Sequence, residues 1–488
     1  MQMDGPTPHR REGPFRAIAV VFLVAGAAAL ASCAVPGAST GRPQALDPVT
    51  GTGTLAMVAV RATAVSAVTH PITTVRSGFA FVYHRPRASL NGIRPLPARL
   101  RRPLEVASGT PAFDALLDKR GLPARESGRL RWLVDGDGFF PELERNIAAA
   151  KHSIDIQIFI FDNDDTAVDI ANRLKARSAE IPVRVLFDDL GSTAAHTAAP
   201  ETPAPPGFNP PADIAGHLRA GSSIQVRRTL NPWLTGDHTK LLIFDQRTAI
   251  LGGMNIGREY RSEWHDLMVR VDGPVVHTLA RQFERTWHRA GPWGDWALSH
   301  RSRKELQPAA ASSRDIPLRV LTTDPARGRY DILEAKLLAI RGARERIWIQ
   351  NPYFAHSKIV GAVQAAAERG VDVRVIIPAR ADSTIMDAAN LAVAADLIRA
   401  GARVFQYPGM THMKVMLCDG WATCGSANLD TLSLRINREL NLAFSDPAAI
   451  RELEQKVFLP DFAISRPLKH EQADRPGNRI IRMIADQL

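Results

Sequence analysis

The sequence predicts an α/β fold of two similar lobes that share one site. Three observations carry this: strand-like runs alternate with helical periodicity, the alternation occurs twice, and each copy ends in the same polar device. "FPELERNIAAAKHSIDIQIFIF" (140–161) parallels "YDILEAKLLAIRGARERIWIQNPYF" (330–354). In each, apolar residues three or four apart give way to a run rich in β-branched and aromatic residues, a helix followed by a strand. Each continues into a second helix ("DIANRLKARSA"; "KIVGAVQAAAERG") and a second apolar strand ("IPVRVLFDD"; "VDVRVIIPA"). Such alternation packs as α/β layers.

The polar device is "HTKLLIFDQRTAILGGMN" (238–255), which returns as "HMKVMLCDGWATCGSAN" (412–428) with its histidine 174 positions later. Successive strand residues alternate faces, so His238 and Lys240 are expected to point one way, and Leu241 and Ile243 the other. His412 and Lys414 obey the same rule. By that parity Asp245 and Asp419 fall on the opposite face, which assigns them a structural role in the turn that follows. Gly252 and Gly253, matched by Gly425 and Ser426, form a turn where glycine permits close approach. Asn255 and Asn428 are placed to return amide donors to the site.

Two histidines, two lysines and two asparagines converging from two halves make a dense anion site, and phosphodiester chemistry needs such a set. A neutral imidazole attacks phosphorus, and a protonated one supplies the departing oxygen with a proton. Ammonium and amide groups stabilise the phosphoryl oxygens. With these donors present, neither a metal ion nor a cofactor is required. Each imidazole also needs an orienting acceptor. Asp266 in "HDLMVRV" lies 28 residues after His238, and Glu439 in "RELNLAF" lies 27 after His412. One His-x-Lys alone reads as a core histidine beside a snorkelling lysine; two full copies with matching acids do not.

These residues resemble the phospholipase D superfamily, whose motif is His-x-Lys-x4-Asp followed by Gly-Gly or Gly-Ser and Asn. The resemblance covers roughly residues 127 to 465. It implies two phospholipase D-like lobes, 127–300 and 317–465, each a mixed sheet flanked by helices, joined by a linker at 301–316, with the active site between them. It also implies that His238 attacks, that His412 is the acid, and that Asp266 and Glu439 bond to the histidines. Asp419 and Gly425 enclose five residues, whereas six separate Asp245 from Gly252, so a shorter turn is expected to shift Asn428 slightly.

Within the superfamily, "GSANLDTLSLRINRELNLAF" and "GREYRSEWHDLMVRVDGPVV" look most like bacterial cardiolipin synthases. "IQNPYF" resembles the strand lining their pocket, which makes Tyr353 a candidate substrate contact, although an aromatic there reads equally as core. The implied reaction is phosphatidyl transfer between two phosphatidylglycerols, giving cardiolipin and glycerol; water as acceptor gives phosphatidic acid. The implied partner is a phospholipid membrane containing phosphatidylglycerol, with no nucleic acid. A nuclease of the same superfamily would use the same His-Lys machinery, and the net charge of +11 permits it. An idle lipid-binding protein is a third reading, which the intact motifs oppose.

With 488 residues, 45% of them apolar and 23% charged, the chain is long enough for two domains and a sizeable core. Its start is more specific. Arg10, Arg11 and Arg16 precede "AIAVVFLVAGAAALA", too short to span a bilayer comfortably. The following "LASC" resembles the bacterial lipoprotein signal, which implies cleavage before Cys33, a lipid on Cys33, and a protein held in the bacterial envelope on the periplasmic side. Residues 34–126 read as a low-complexity spacer and lead-in, and "APETPAPPGFNPPAD" (199–213) as a surface loop. The basic tail 466–488 reads as a solvated terminus. Cys418 and Cys424 read as buried free thiols rather than a pair.

Overall fold

The helix–strand units of the repeat fold as such, because each helix has one apolar stripe to bury and each strand supplies an apolar surface. In the first copy, helix Asp135–Ala149 buries Phe139, Phe140, Leu143 and Ile147. Strand Ile154–Ile158 is buried along its whole length. Helix Asp331–Gly342 and strand Arg346–Gln350 repeat the arrangement. The computed structural model describes residues 60–91, 97–196, 200–296, 310–478 and 481.

The first lobe contributes β1 (Arg125–Val134), β2 (Ile154–Ile158), β3 (Val183–Asp188), β4 (Gln225–Thr229), β5 (Leu241–Phe244), β6 (Thr248–Gly252) and β7 (Leu267–Asp272). The second contributes β8 (Ile316–Asp324), β9 (Arg329–Tyr330), β10 (Arg346–Gln350), β11 (Asp372–Pro378), β12 (Arg403–Tyr407), β13 (Val415–Cys418), β14 (Trp421–Gly425), β15 (Glu439–Phe444) and β16 (Arg466–Pro467). The two sheets are one. The order runs β4-β3-β2-β5-β6-β7-β1, crosses to β8, and continues β15-β14-β13-β10-β11-β12-β16, with β9 beside β8. Apart from β9 and β16, the order reads the same from either end, with β1 and β8 as the antiparallel seam, Arg125 opposite Arg319 and Gly128 opposite Ile316. Parallel pairs β2–β3 and β10–β11 sit outboard of the antiparallel strands in both halves, so each lobe is mixed.

A central core crosses the seam, where Trp132, Val269, Leu279 and Phe283 pack with Leu318, Leu442 and Phe458. Separate cores fill the outer layers of each lobe.

Three boundaries differ from the sequence reading. Residues 60–91 and 97–122 of the expected spacer are structured. Helix Pro111–Lys119, capped by the Thr110 side chain, sends Phe113 and Leu117 into the second lobe's core, and fully burying Phe113 alone contributes about 2 kcal/mol. Ahead of it, helical residues 60–69 lead into helix Pro71–Asn91. Thr73 Oγ1 donates to Asp295 (2.7 Å) and Trp233 Nε1 donates to the Thr74 carbonyl (2.9 Å), tying this helix to the first lobe. β1 begins at Arg125, before residue 127. At the other end, Leu468 and Ala473 of the expected solvated tail are buried, because β16 pairs with β12. Residues 1–33, most of the linker and the last seven residues lie outside the described residues, and Cys33 with them. The described part of 199–213 is an irregular, mostly exposed loop, and Cys418 and Cys424 are free and buried.

Candidate active site

Both His-x-Lys segments lie immediately before their strands, not on them: β5 begins at Leu241 and β13 at Val415. The strand ladder is interrupted there because the backbone pairs with the other lobe. The His238 amide donates to the Arg438 carbonyl (2.9 Å), and the Arg438 amide donates to Gly236 (2.9 Å). In the same way the His412 amide donates to His265 (2.7 Å), and His265 donates to Met410 (3.1 Å). Each motif is thereby stitched beside the acid of the opposite half. His238 Nδ1 lies 3.0 Å from both oxygens of Glu439, and His412 Nδ1 lies 2.6 Å from Asp266 Oδ2. The acids do orient the imidazoles, but crosswise.

The four basic groups share one field. Burial lowers the His238 pKa well below the usual histidine value, and Lys240, Lys414 and His412 push it further down. His412 is lowered to about 4, first by burial and then by Lys414, with the Asp266 carboxylate opposing. Burial is the largest cause for both lysines as well; Lys414 falls to about 8 and Lys240 well below its ordinary value. Glu439 is pushed well up by burial against the pull of Lys240. Each ammonium is held by its own motif: Lys240 Nζ donates to the His238 carbonyl (2.9 Å) and Lys414 Nζ to the His412 carbonyl (2.5 Å). His238 and His412 are 9% and 5% exposed, so the centre is nearly dry. An anionic phosphate entering it would meet several cationic donors at low dielectric, where electrostatic attraction is strongest.

The turns position the acids. A Cβ on Gly253 would overlap the Asp266 carboxylate, and one on Gly252 or Gly425 would overlap the carbonyl of Leu267 or Leu440. Where the second copy has Ser426 in place of Gly253, its hydroxyl donates to Glu439 Oε2 at 2.5 Å. The shorter second turn does not move Asn428. The missing residue is absorbed at the far end of the hairpin, where Cys418 pairs with Trp421 but Phe244 pairs with Thr248. Leu429 then bridges Phe354 as Ile256 bridges Phe161.

Asp245 and Asp419 are structural, as expected, but the turn they hold is another one. Asp245 accepts from the amides of Lys151, His152 and Ser153, and Asp419 from those of Arg344, Glu345 and Arg346, just ahead of β2 and β10. Asn255 differs from expectation: its amide donates to the Tyr260 hydroxyl (2.7 Å) and its carbonyl accepts from Ile160 (3.0 Å), so it braces the wall of the site. Asn428 is buried, and its Oδ1 has no hydrogen-bond partner among the described residues. Tyr353 is half-buried and its hydroxyl donates to Asp382, whose field reaches Lys414.

The comparisons with known proteins agree with this geometry. The family model described as "Cardiolipin synthase, PLD-like domain" matches residues 143–287 and 337–458, one segment in each lobe. "Cardiolipin synthase A" of Pseudomonas fluorescens (strain SBW25) is 32% identical over 75% of this chain and 76% of that protein. The chain belongs to the PLD-like cardiolipin synthase family. The protein of the same name from Pseudomonas syringae pv. syringae (strain B728a) is 31% identical over 77% of this chain and 78% of its own length. The fold of this family member is shared with the phosphatidylserine synthase of Haemophilus influenzae Rd KW20, with TM-score 0.58 and 13% identity over 76% of this chain and 95% of that one.

Several residues around the centre of this cardiolipin synthase family member escaped the sequence reading. Phe159 meets the His238 ring edge-on at 4.8 Å, with Lys240 Nζ 4.9 Å from its centroid. Trp264 and Tyr260 flank His412 at 5.1 and 5.8 Å. Gln157 donates to Asp237 and Gln350 to Thr411, matching braces beneath the two histidines. A glutamine at the same place in two apolar strands was the available signal. Among the described residues no group of three or more His, Cys, Asp or Glu is arranged to hold a metal.

Proposed function

We propose that the protein is a phosphatidyltransferase that makes cardiolipin from two molecules of phosphatidylglycerol. The observation that carries this reading is the pair of imidazoles, each backed by a carboxylate from the opposite lobe, in one nearly dry cationic centre. His238 keeps Nδ1 toward Glu439, which leaves Nε2 as the attacking nitrogen. Attack on phosphorus forms a phosphatidyl-histidine and breaks the bond to the glycerol oxygen, which takes a proton from His412. His412 then accepts the proton of a hydroxyl on a second phosphatidylglycerol. That oxygen displaces His238 and yields cardiolipin.

The electrostatics favour this division of roles. Burial and the neighbouring Lys240, Lys414 and His412 hold His238 well below the ordinary histidine value, so it rests neutral. His412 has the shorter bond to Asp266, and the arriving phosphate charge raises its low pKa toward the value an acid needs. Lys240 and Lys414 neutralise the phosphoryl oxygens. The low exposure of both rings favours a lipid hydroxyl over water.

The site works at a membrane surface in this reading, on a protein exported to the periplasmic side and anchored through a lipid on Cys33. No helix among the described residues is long and apolar enough to cross a membrane. Helix Pro71–Asn91 instead turns Ile72, Val75, Phe79 and Val82 outward, an apolar stripe suited to the lipid interface. Incubating purified protein with phosphatidylglycerol vesicles tests the proposal. Cardiolipin with equimolar glycerol supports it, phosphatidic acid alone makes the protein a hydrolytic phospholipase D, and plasmid cleavage without lipid turnover makes it a nuclease.

A further inference from the structure

The residue in front of each orienting acid carries a basic side chain: His265 precedes Asp266, and Arg438 precedes Glu439. The two stand at matching points of the repeat. Arg438 bridges through its backbone to Asp237 and His265 to Thr411, in each case one residue ahead of a motif histidine. Arg438 donates to the Asp237 carboxylate (3.1 Å). His265 meets two carboxylates: its Nδ1 lies 2.7 Å from Asp135 Oδ1 and its Nε2 lies 2.8 Å from Asp461 Oδ2. A neutral imidazole has one N–H and can donate to only one of them, so bonding both requires the doubly protonated ring.

The two carboxylates come from opposite lobes. Asp135 opens helix Asp135–Ala149 of the first lobe, and Asp461 lies on helix Leu459–Ile464 of the second. Asp461 is 3% exposed, and His265 is its carboxylate's one hydrogen-bond partner among the described residues. Tyr407 of β12 stacks on the imidazole, with centroids 4.5 Å apart and planes 4° from parallel. Asp135, Asp461 and Tyr407 are thus the titratable groups that face the ring. Burial opposes charge on His265, but the bonds to Asp135 and Asp461 outweigh it and raise the pKa to about 9.

The clamp reaches the centre through Asp135 and Asp266. Asp135 Oδ1 also accepts from the Asp266 amide (3.0 Å), and the Asp135 amide donates to the Asp266 carbonyl (2.9 Å). Asp266 in turn holds His412 Nδ1 at 2.6 Å, while the His265 carbonyl accepts from the His412 amide (2.7 Å). His412 is therefore fixed at its ring through Asp266 and at its backbone through His265. We propose that His265 is a positioning residue for proton transfer at His412, an imidazolium that bridges carboxylates of both lobes and so fixes the Asp266–His412 pair. The proposal rests on the transfer reading above, in which His412 protonates the departing glycerol oxygen. Without the charge on His265, two carboxylates from opposite lobes, one of them fully buried, would face each other with one donor between them.

The test compares a leaving group that needs a proton with one that does not. Glycerol leaves phosphatidylglycerol with a proton from His412, whereas p-nitrophenolate leaves phosphatidyl-p-nitrophenol unaided. His265→Gln removes the charge and one of the two bonds. It should lower kcat for glycerol release by about ten-fold or more with KM little changed, while the single-turnover burst of p-nitrophenolate falls far less. His265→Arg, which installs the residue of the other copy, should restore most of the glycerol rate. Equal losses on the two lipids, or no loss on either, would overturn the assignment. A measurement on the parent protein holds even where His265→Gln does not fold. With nitrogen-15-labelled histidine, the His265 ring, identified by its loss in His265→Arg, should carry protons on both nitrogens at neutral pH and release one at about pH 9. A neutral His265 ring at neutral pH overturns the clamp. A parent inert toward both lipids removes the transfer reading, and this proposal with it.

Discussion

His238 and His412 come from copies of one motif, yet their surroundings make them different acids. The difference lies in the carboxylates and in the lysine beside each. Lys414, lowered to about 8, is the group whose titration falls within a workable range. As pH rises through that value the ammonium loses its proton, so kcat/KM should fall above about pH 8. The histidines, already depressed, put no acidic limb near neutrality. Lys414→Arg should turn over more slowly but carry its descending limb to higher pH, since a guanidinium stays charged. A kcat/KM profile on a short-chain phosphatidyl substrate checks this, and an unmoved limb would detach it from Lys414. His238→Ala should show no turnover. Gly253 offers a subtler probe. In Gly253→Ala the new methyl overlaps the Asp266 carboxylate and displaces it from His412. Loss of that orienting bond should lower kcat on the order of a hundred-fold, typical for a positioned acid–base group, with the melting temperature little changed. A near-normal kcat would show that the carboxylate relaxes freely. The histidines, lysines and acids were all legible in the sequence, because the duplication marks them twice. The partner of each acid was not legible, because it depends on backbone bridges between residues about 150 to 200 positions apart, Asp237 with Arg438 and His265 with Thr411.

At the scale of elements, the motif aspartates show how a local pattern serves a distant turn. Asp419 has φ 48, in the left-handed region that aspartate tolerates better than most residues, and this aims its carboxylate at three amides ahead of β10. Asp419→Ala would leave them without that acceptor at a half-exposed turn, a loss of about 2 kcal/mol. The urea midpoint should drop accordingly while kcat/KM of the folded protein holds; a collapse of kcat/KM at unchanged stability would place Asp419 in the chemistry instead. The sequence reading sets Asp419 outside catalysis by a strand parity that His412 and Lys414, lying ahead of β13, do not follow; its structural role is fixed instead by the β10–β13 pairing. Helix Pro71–Asn91 was missed for a related reason. Its stripe at Ile72, Val75, Phe79 and Val82 has helical spacing, but it faces outward, and β-branched residues with two prolines blur the helical signal. The contacts that fix it, Thr73 with Asp295 and Trp233 with Thr74, bridge more than 150 residues.

At the scale of the whole molecule, the β1–β8 seam makes two lobes into one sheet, and that sheet places the centre and the exposed helix on a single body. The outward stripe continues through Val68, which is 72% exposed, to Val75 at 71% and Phe79 at 69%, with Trp293 and Trp296 also exposed. Trp296 Nε1 donates to the Val68 carbonyl (2.9 Å), so the tryptophan is fastened to the same helical segment. Tryptophan beside aliphatic residues, with Arg61, Arg76 and Arg87 along the helices, fits a surface that meets anionic headgroups and inserts shallowly. Such insertion would bring the lipid phosphates to the protein without a spanning segment. In a Cys33→Ala background, which removes the proposed lipid anchor, Val75→Ser with Phe79→Ser should weaken binding to phosphatidylglycerol vesicles. Each removes about 1.5 to 3 kcal/mol of apolar burial if fully inserted, so the pair should cost on the order of a hundred-fold or more in affinity. Both side chains are already exposed to solvent, so folding and turnover of a dispersed short-chain substrate should be unaffected. Vesicle sedimentation measures the first and a soluble assay the second. If vesicle affinity is retained in the double variant, the bilayer meets some other face, and the stripe loses its role in presenting substrate.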